Sequence, residues 1–245
     1  MHTQKSLTDD LIRLGVCAGD ILFVHSSYKS LGPVDGGAAA VIASIEDVLA
    51  PGGLLLMPSF NLVEKDKRAE NWNIAGTPST VGYLTEFFRH MPGTVRSDHY
   101  SHSVAARGFG AGGFVSGHLS ADGPESPWDI APWGRTFGSR SPFLKAYTRG
   151  GKLLMLGVDY HSSTFVHLVE TLWWNERRIK NPAQEFVFLH RDKLGEYWDQ
   201  VGCPVRGPIG DAESRLFRIR DFVDTLWDLV RQEPENWIKW RSPGT

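Results

Sequence analysis

Only two cysteines, Cys17 and Cys203, occur in 245 residues. That excludes a disulfide framework and fits a reducing compartment. Neither sign of charge dominates: 26 lysines and arginines stand against 28 aspartates and glutamates, a formal net charge of −2. Without a basic excess there is no global field to hold nucleic acid, and none to steer a strongly acidic substrate. Apolar runs are short, far below the roughly 20 residues that cross a bilayer. The opening segment MHTQKSLTDDLIRLG is too polar for a signal peptide. The expected setting is cytoplasmic, with neither nucleic acid nor membrane as partner.

Several catalytic signatures are missing too. There is no G-x-S-x-G nucleophile elbow, no Walker motif and no H-E-x-x-H zinc pair. GFGAGG (108–113) satisfies G-x-G-x-x-G, but it lies mid-chain and no acid-ended strand follows it. It reads as a turn before a short helix rather than a dinucleotide site. What is present is a globular composition, 41% hydrophobic and 22% charged, enough for a real core.

Strands and helices alternate along the chain. SLTDDLIRLGV reads as a helix capped by Ser6 or Thr8. ILFV (21–24) is a buried strand, AAAVIASIEDVLA (38–50) a helix stopped by Pro51-Gly52-Gly53, and LLLMPSF (54–60) the next strand. Their short connections imply a parallel crossover. TVGYLTEFFRHM (80–91) is helical with Thr80 as cap, and HSVAARG (102–108) is a strand. AYTRGGKLLMLGVD gives a hairpin-like turn into a buried strand at 153–158, and a helix over about 163–178 follows. In the tail, EFVFLHRDKLGEYWDQV is strand-like, then polar. Residues 214–232 carry Ile219, Phe222, Val223, Leu226, Leu229 and Val230 at helical spacing. The expected fold is α/β: a three-layer αβα sandwich around a mostly parallel central sheet, with a smaller irregular C-terminal part. In such sheets ligands bind at the carboxyl ends of the strands. HSS, PSF and DYHSST follow three of the strands, so three polar clusters should meet on one rim.

In YHSSTFVHLVE (160–170), His167 precedes Glu170 by three residues, nearly one helical turn, so the two share a face. Ser162, Ser163 or Thr164 suits the cap, which puts the imidazole in the first turn, where the dipole favours the neutral ring. A neutral imidazole with a carboxylate behind it is the arrangement of a general base and its support. The same spacing fits a surface ion pair or, with His161 and the histidines of HYSH (99–102), a set of zinc donors. Spacing alone leaves these open. VHSSYKSLGPVDGG, whose turn contains Leu31 and Gly32, leads into a helix N-terminus. It suits a phosphate or an amide-rich pantetheine chain, or is an ordinary capped loop.

VHSSYKSLGPVDGGAAAVIASIEDVLAPGGLLLMPSF, TPSTVGYLTEFFR, RSDHYSHSVAARG, SPF and GKLLMLGVDYHSSTFVHLVE occur in that order. The order resembles the aminoglycoside 3-N-acetyltransferase family, the antibiotic N-acetyltransferases, over about residues 8–180, with 181–245 more divergent within one domain spanning 1–245. The resemblance implies an acyltransferase with acetyl-CoA as co-substrate, no metal, and a small-molecule amine of an aminoglycoside or related amino sugar as acceptor. It maps the family's T-x-x-H-x-x-E block onto Thr164, His167 and Glu170, with His167 as general base and Glu170 as its support. His25, Ser26, Ser27, Leu31, Gly32, Arg96, Ser97, Ser103 and Ser141 then look like the CoA side. Trp72, Asn73, Thr77, Asp159 and Thr164 look like the acceptor side, and hydroxyls of Ser27, Thr77 or Ser103 are candidate oxyanion donors. The family usually carries Phe-Asp where this chain has Trp72 and Asn73, and Pro where it has Tyr100. The missing carboxylate favours, as alternative acceptor, an amino-sugar nucleotide or other biosynthetic amine. A non-catalytic CoA-binding protein and a metal hydrolase are the remaining alternatives. Trp173 and Trp174 suit either an acceptor pocket or the face of a homodimer.

Overall fold

Continuous apolar runs reserve neither face for water, which places ILFV, LLLM and KLLML at the centre of a sheet. The computed structural model describes residues 1–63 and 65–239. Its strands are β1 (Ile21–Ser26), β2 (Leu54–Pro58), β3 (Val95–Arg96), β4 (Val104–Gly108), β5 (Lys152–Leu156), β6 (Phe188–Leu189), β7 (Val205–Ile209), β8 (Ala212–Arg218) and β9 (Ile238–Lys239). Its helices are α1 (Gln4–Leu14), α2 (Gly37–Leu49), α3 (Tyr83–His90), α4 (Ala111–Val115), α5 (Pro142–Thr148), α6 (Phe165–Lys180), α7 (Arg191–Val201), α8 (Ile219–Gln232) and α9 (Pro234–Trp237).

Seven strands form one sheet in the order β3-β4-β2-β1-β5-β8-β7. At its centre β1 pairs in parallel with both β2 and β5, so that Phe23 sits between Leu56 and Leu153. The outer pairings are antiparallel. Five of the seven strands therefore point the same way, with β4 and β8 reversed. Successive side chains of the central strands go to opposite faces. Leu22, Val24, Leu55, Met57, Leu154 and Leu156 pack with Leu7 and Leu11 of α1, Ile42 and Ile45 of α2, and Phe88 of α3. Phe23, Leu56, Leu153 and Met155 pack with Phe143 of α5, Phe165 and Val169 of α6, and Phe222 and Leu226 of α8. Helices thus cover both faces, and the αβα sandwich is observed.

Several elements begin elsewhere than expected. Thr3, not Ser6 or Thr8, caps α1: its hydroxyl accepts the Ser6 N–H at 3.2 Å, and the Ser6 hydroxyl accepts the Thr3 N–H at 2.9 Å. Thr80 does not cap α3, whose N-cap is Gly82; the Thr80 hydroxyl accepts the Leu62 N–H instead. The turn before β5 closes helix α5 and is no hairpin. Residues 214–218 belong to β8, paired with β5 from Leu156↔Ser214 to Lys152↔Arg218, so the tail's amphipathic helix starts at Ile219. RDKLGEYWDQV is helix α7, which buries Leu194, Gly195 and Trp198. At Gly195 a Cβ would stand 2.1 Å from the Tyr160 ring, so the glycine lets that ring pack against the helix. GFGAGG runs from the last residue of β4 through a turn at Phe109 and Gly110 into the five-residue α4. Of the divergent stretch 181–245, residues 240–245 lie outside the described residues.

Candidate active site

The three polar clusters meet. His25 and Ser26 end β1, Pro58 ends β2 with Phe60 just after it, and Val158, His161, Ser162 and Thr164 follow β5; with His167 they line one cavity of about 670 Å³. His167 lies in the first turn of α6 and is 13% exposed. Its Nδ1–H donates to Glu170 Oε2 at 2.6 Å. Glu170 is 1% exposed, and its other oxygen accepts the Leu189 N–H at 2.8 Å. Both carboxylate oxygens are therefore committed, and the ring is held in one orientation.

On the far side, Arg191 Nη2 donates to His167 Nε2 at 2.5 Å, while Nη1 donates to the His161 carbonyl at 2.9 Å. A guanidinium has only donors, so Nε2 must present its lone pair. The ring is neutral, with its proton on the Glu170 side, the tautomer a base needs if Nε2 is to meet substrate. Thr164 holds the N-cap position expected of it, without a side-chain capping bond. Arg191 opens α7, 24 residues from His167, and no local spacing signals it.

Beyond Glu170 and Arg191, aromatic rings surround His167. The Trp128 ring meets it edge-on at 4.8 Å, and His102 lies 6.2 Å away at 88°. Burial, then the Arg191 charge, pushes the His25 imidazole down to about 3. Burial holds His102 well below its usual range. His118, pushed down to about 4 chiefly by burial, stacks on His99 at 4.4 Å. Among the described residues no three His, Cys, Asp or Glu side chains group as a metal site.

These buried rings make stability pH-dependent. His25 and His118 have folded pKa values of about 3 and about 4 against an ordinary 6.5. Below pH 6.5 the unfolded chain takes up protons that the folded protein refuses. The full contribution is present above pH 6.5 and is lost as pH falls toward 4, on the order of 3 kcal/mol for His118 alone. Urea unfolding between pH 7.5 and 4.5 should show a steadily falling midpoint. A flat midpoint would mean that these rings are hydrated in the folded state.

The remaining expected residues divide into those at the cavity and those wired behind it. Ser26 and Thr164 line the cavity, and Ser26 Oγ and His25 Nε2 are buried without hydrogen-bond partners among the described residues. Ser27 Oγ instead accepts from Ser30 at 2.8 Å. Leu31 is buried in the apolar cluster, and Gly32 makes a turn at φ 72° where a Cβ would meet Asp211 Oδ2 at 1.9 Å. Arg96 stacks on Trp72 at 4.5 Å and donates to the carbonyls of Ser59, Ile74 and Thr77. Trp72 Nε1 donates to Asp98 at 2.7 Å. Ser97 Oγ accepts the Val104 N–H and donates to His118 Nδ1. Ser103 Oγ donates to the Ser59 carbonyl, and Ser141 caps α5. Asn73 and Thr77 bond to each other's loop and line an adjacent recess of about 440 Å³ with Arg68 and Tyr100. Asp159 caps the turn at His161 and borders a separate depression with Ser162. Trp173 is a core residue, and Trp174 Nε1 is held by the Gln184 carbonyl. The hydroxyls of Thr77 and Ser103 thus already donate within the chain, whereas that of Ser27 accepts from Ser30.

An imidazole held this way, facing a cavity at the strand ends of an αβα frame, has the geometry found in enzymes of acid–base group transfer. The chain belongs to the aminoglycoside 3-N-acetyltransferase family, whose sequence model matches residues 23–231. It is 28% identical over 258 residues to the SPbeta prophage-derived aminoglycoside N(3')-acetyltransferase-like protein YokD of Bacillus subtilis (strain 168), covering 91% of this chain and 90% of that one. Among solved structures it is similar to aminoglycoside acetyltransferase AAC(3)-IVa as apoenzyme, at 28% identity and TM-score 0.76 over 95% and 90% of the two chains. A mutant of that enzyme in complex with a gentamicin matches at 26% identity and TM-score 0.75, again over 95% and 90%. No helix among the described residues is long and apolar enough to cross a membrane.

Proposed function

We propose that the protein is an acetyl-CoA-dependent N-acetyltransferase acting on an amine of an aminoglycoside or related amino-sugar compound, with His167 as general base and Glu170 as its support. One observation carries the reading. The His167 Nδ1–H bond to buried Glu170 leaves the Nε2 lone pair on the cavity side. An ammonium cannot attack a thioester until it loses a proton. That first proton goes to solvent, and His167 Nε2 takes a second one as the neutral amine nitrogen adds to the acetyl carbonyl. The tetrahedral intermediate then collapses: the C–N bond is kept, the C–S bond breaks, and the proton leaves with the CoA sulfur. Glu170 stabilises the transient imidazolium. Ser26 Oγ, buried and unpartnered among the described residues on the cavity wall, is an available donor to the oxyanion. Arg191 must leave Nε2 before the amine can use it.

The test is thiol release from acetyl-CoA with a panel of amines that includes gentamicin and glucosamine. Release that requires an amine is expected. Acetyl-CoA binding with no release for any amine would leave a CoA-binding protein without transfer activity.

A further inference from the structure

We propose that the acceptor amine carries an anionic group, a phosphate or a carboxylate, and that Arg68 and Arg191 receive it. The inference deepens the transfer reading above and rests on it. The charges on the cavity wall carry it. Aspartate and arginine contribute Asp66, Arg68 and Arg191 to the lining, and among the described residues no glutamate or lysine joins them. The adjacent recess shares Arg68 and adds Asn61, Asn71 and Asn73, without a carboxylate among the described residues. Burial keeps the His25 and His102 rings of the wall neutral. Two guanidiniums of the described wall therefore face one carboxylate. A polycationic acceptor would meet like charges in a partly water-excluded space, whereas an anionic one would meet partners.

Asp66 offsets part of the Arg68 charge, yet Arg68 Nε is buried with no hydrogen-bond partner among the described residues. Arg191 gives its hydrogen bonds to a neutral ring and a carbonyl. Bonds from a guanidinium to a carboxylate or phosphate are charge-assisted at both ends and are commonly paired, so they outcompete bonds to neutral acceptors. An anion arriving beside α7 would draw Arg191 off His167 Nε2 and uncover the base as the amine arrives. A neutral amine offers no such exchange. The phosphates of CoA cannot draw Arg191 off the ring. With the thioester at His167 they stand a whole pantetheine arm away, while Arg191 lies against the ring at 2.5 Å.

The experiment compares glucosamine, glucosamine 6-phosphate, glucosaminic acid and gentamicin as acceptors. It reads kcat/KM by thiol release and, separately, acceptor binding by calorimetry in the presence of CoA. One of the two anionic acceptors should exceed glucosamine by about tenfold or more in both readouts, and which one does so tells phosphate from carboxylate. Arg191→Gln and Arg68→Gln should each bring that ratio toward one. Equal kcat/KM for glucosamine and both anionic amines, or a preference for gentamicin, overturns the inference and leaves the transfer reading standing. A loss in Arg191→Gln by the same factor for every acceptor also overturns it, since Arg191 would then serve the transfer step itself. Anion-preferring binding that Arg191→Gln abolishes, with no thiol release from any amine, supports the anion site and removes the transfer reading instead. No release and no binding preference removes both.

Discussion

His167→Ala should lower kcat for acetyl transfer by about 10²–10⁴-fold, the usual worth of a positioned general base, while the KM for acetyl-CoA changes little. The split between the two constants matters. His167 lines the cavity but makes its identified hydrogen bonds to Glu170 and Arg191, so its loss removes chiefly a proton acceptor at one part of the wall. The variant also leaves the Glu170 carboxylate buried without its imidazole partner, although the Leu189 N–H still holds one oxygen. Some loss of stability is expected from that uncompensated charge. Steady-state rates should therefore be measured on protein whose circular dichroism matches the parent, well below its unfolding midpoint. Added imidazole can enter the vacated space beside Trp128 and should restore part of the rate. An unchanged kcat, or a loss confined to KM, would discard His167 as the base.

How much of this was legible beforehand depended on distance along the chain. The central strands were readable because each apolar run states its own burial, and the αβα layering follows from helices lying between them. His167 and Glu170 were readable because one helical turn brings them together. Arg191 was not, because its partner lies 24 residues away across a strand and a turn. Helix α7 was obscured as well. Its buried positions Leu194 and Trp198 straddle Gly195, a residue that argues against helix, and its remaining positions are mostly polar. Tyr160 explains that glycine, but only once the two segments are seen packed. Side-chain type also misleads on direction. Ser26 and Ser103 both sit at strand boundaries among polar neighbours, yet Ser26 lines the cavity while Ser103 is turned to the Ser59 carbonyl. A hydroxyl's sequence context does not say which of its neighbours it will satisfy.

Glu170→Gln should fold and still lose about 10²–10⁴-fold in kcat, although it changes one atom and no volume. The carboxylate serves two donors, His167 Nδ1–H at 2.6 Å and the Leu189 N–H at 2.8 Å. An amide can accept at only one end. If its oxygen keeps Leu189, its NH2 faces Nδ1 and forces the imidazole proton onto Nε2. The base is then spent, and Nε2–H is set against the Arg191 guanidinium. If the amide flips, the ring keeps its tautomer, but the NH2 meets the Leu189 N–H, a clash of donors costing roughly 1–3 kcal/mol in a buried place. The first arrangement costs rate and the second costs stability, so kcat and the urea midpoint measured together tell which is adopted. Nitrogen-15 shifts of the His167 ring would report the tautomer directly. Because Glu170 reaches the cavity through its bond to His167, combining this change with His167→Ala should cost little more rate than His167→Ala alone. A Glu170→Gln protein with both parental kcat and parental stability would show that the buried carboxylate neither sets the proton's position nor anchors the strand at Leu189.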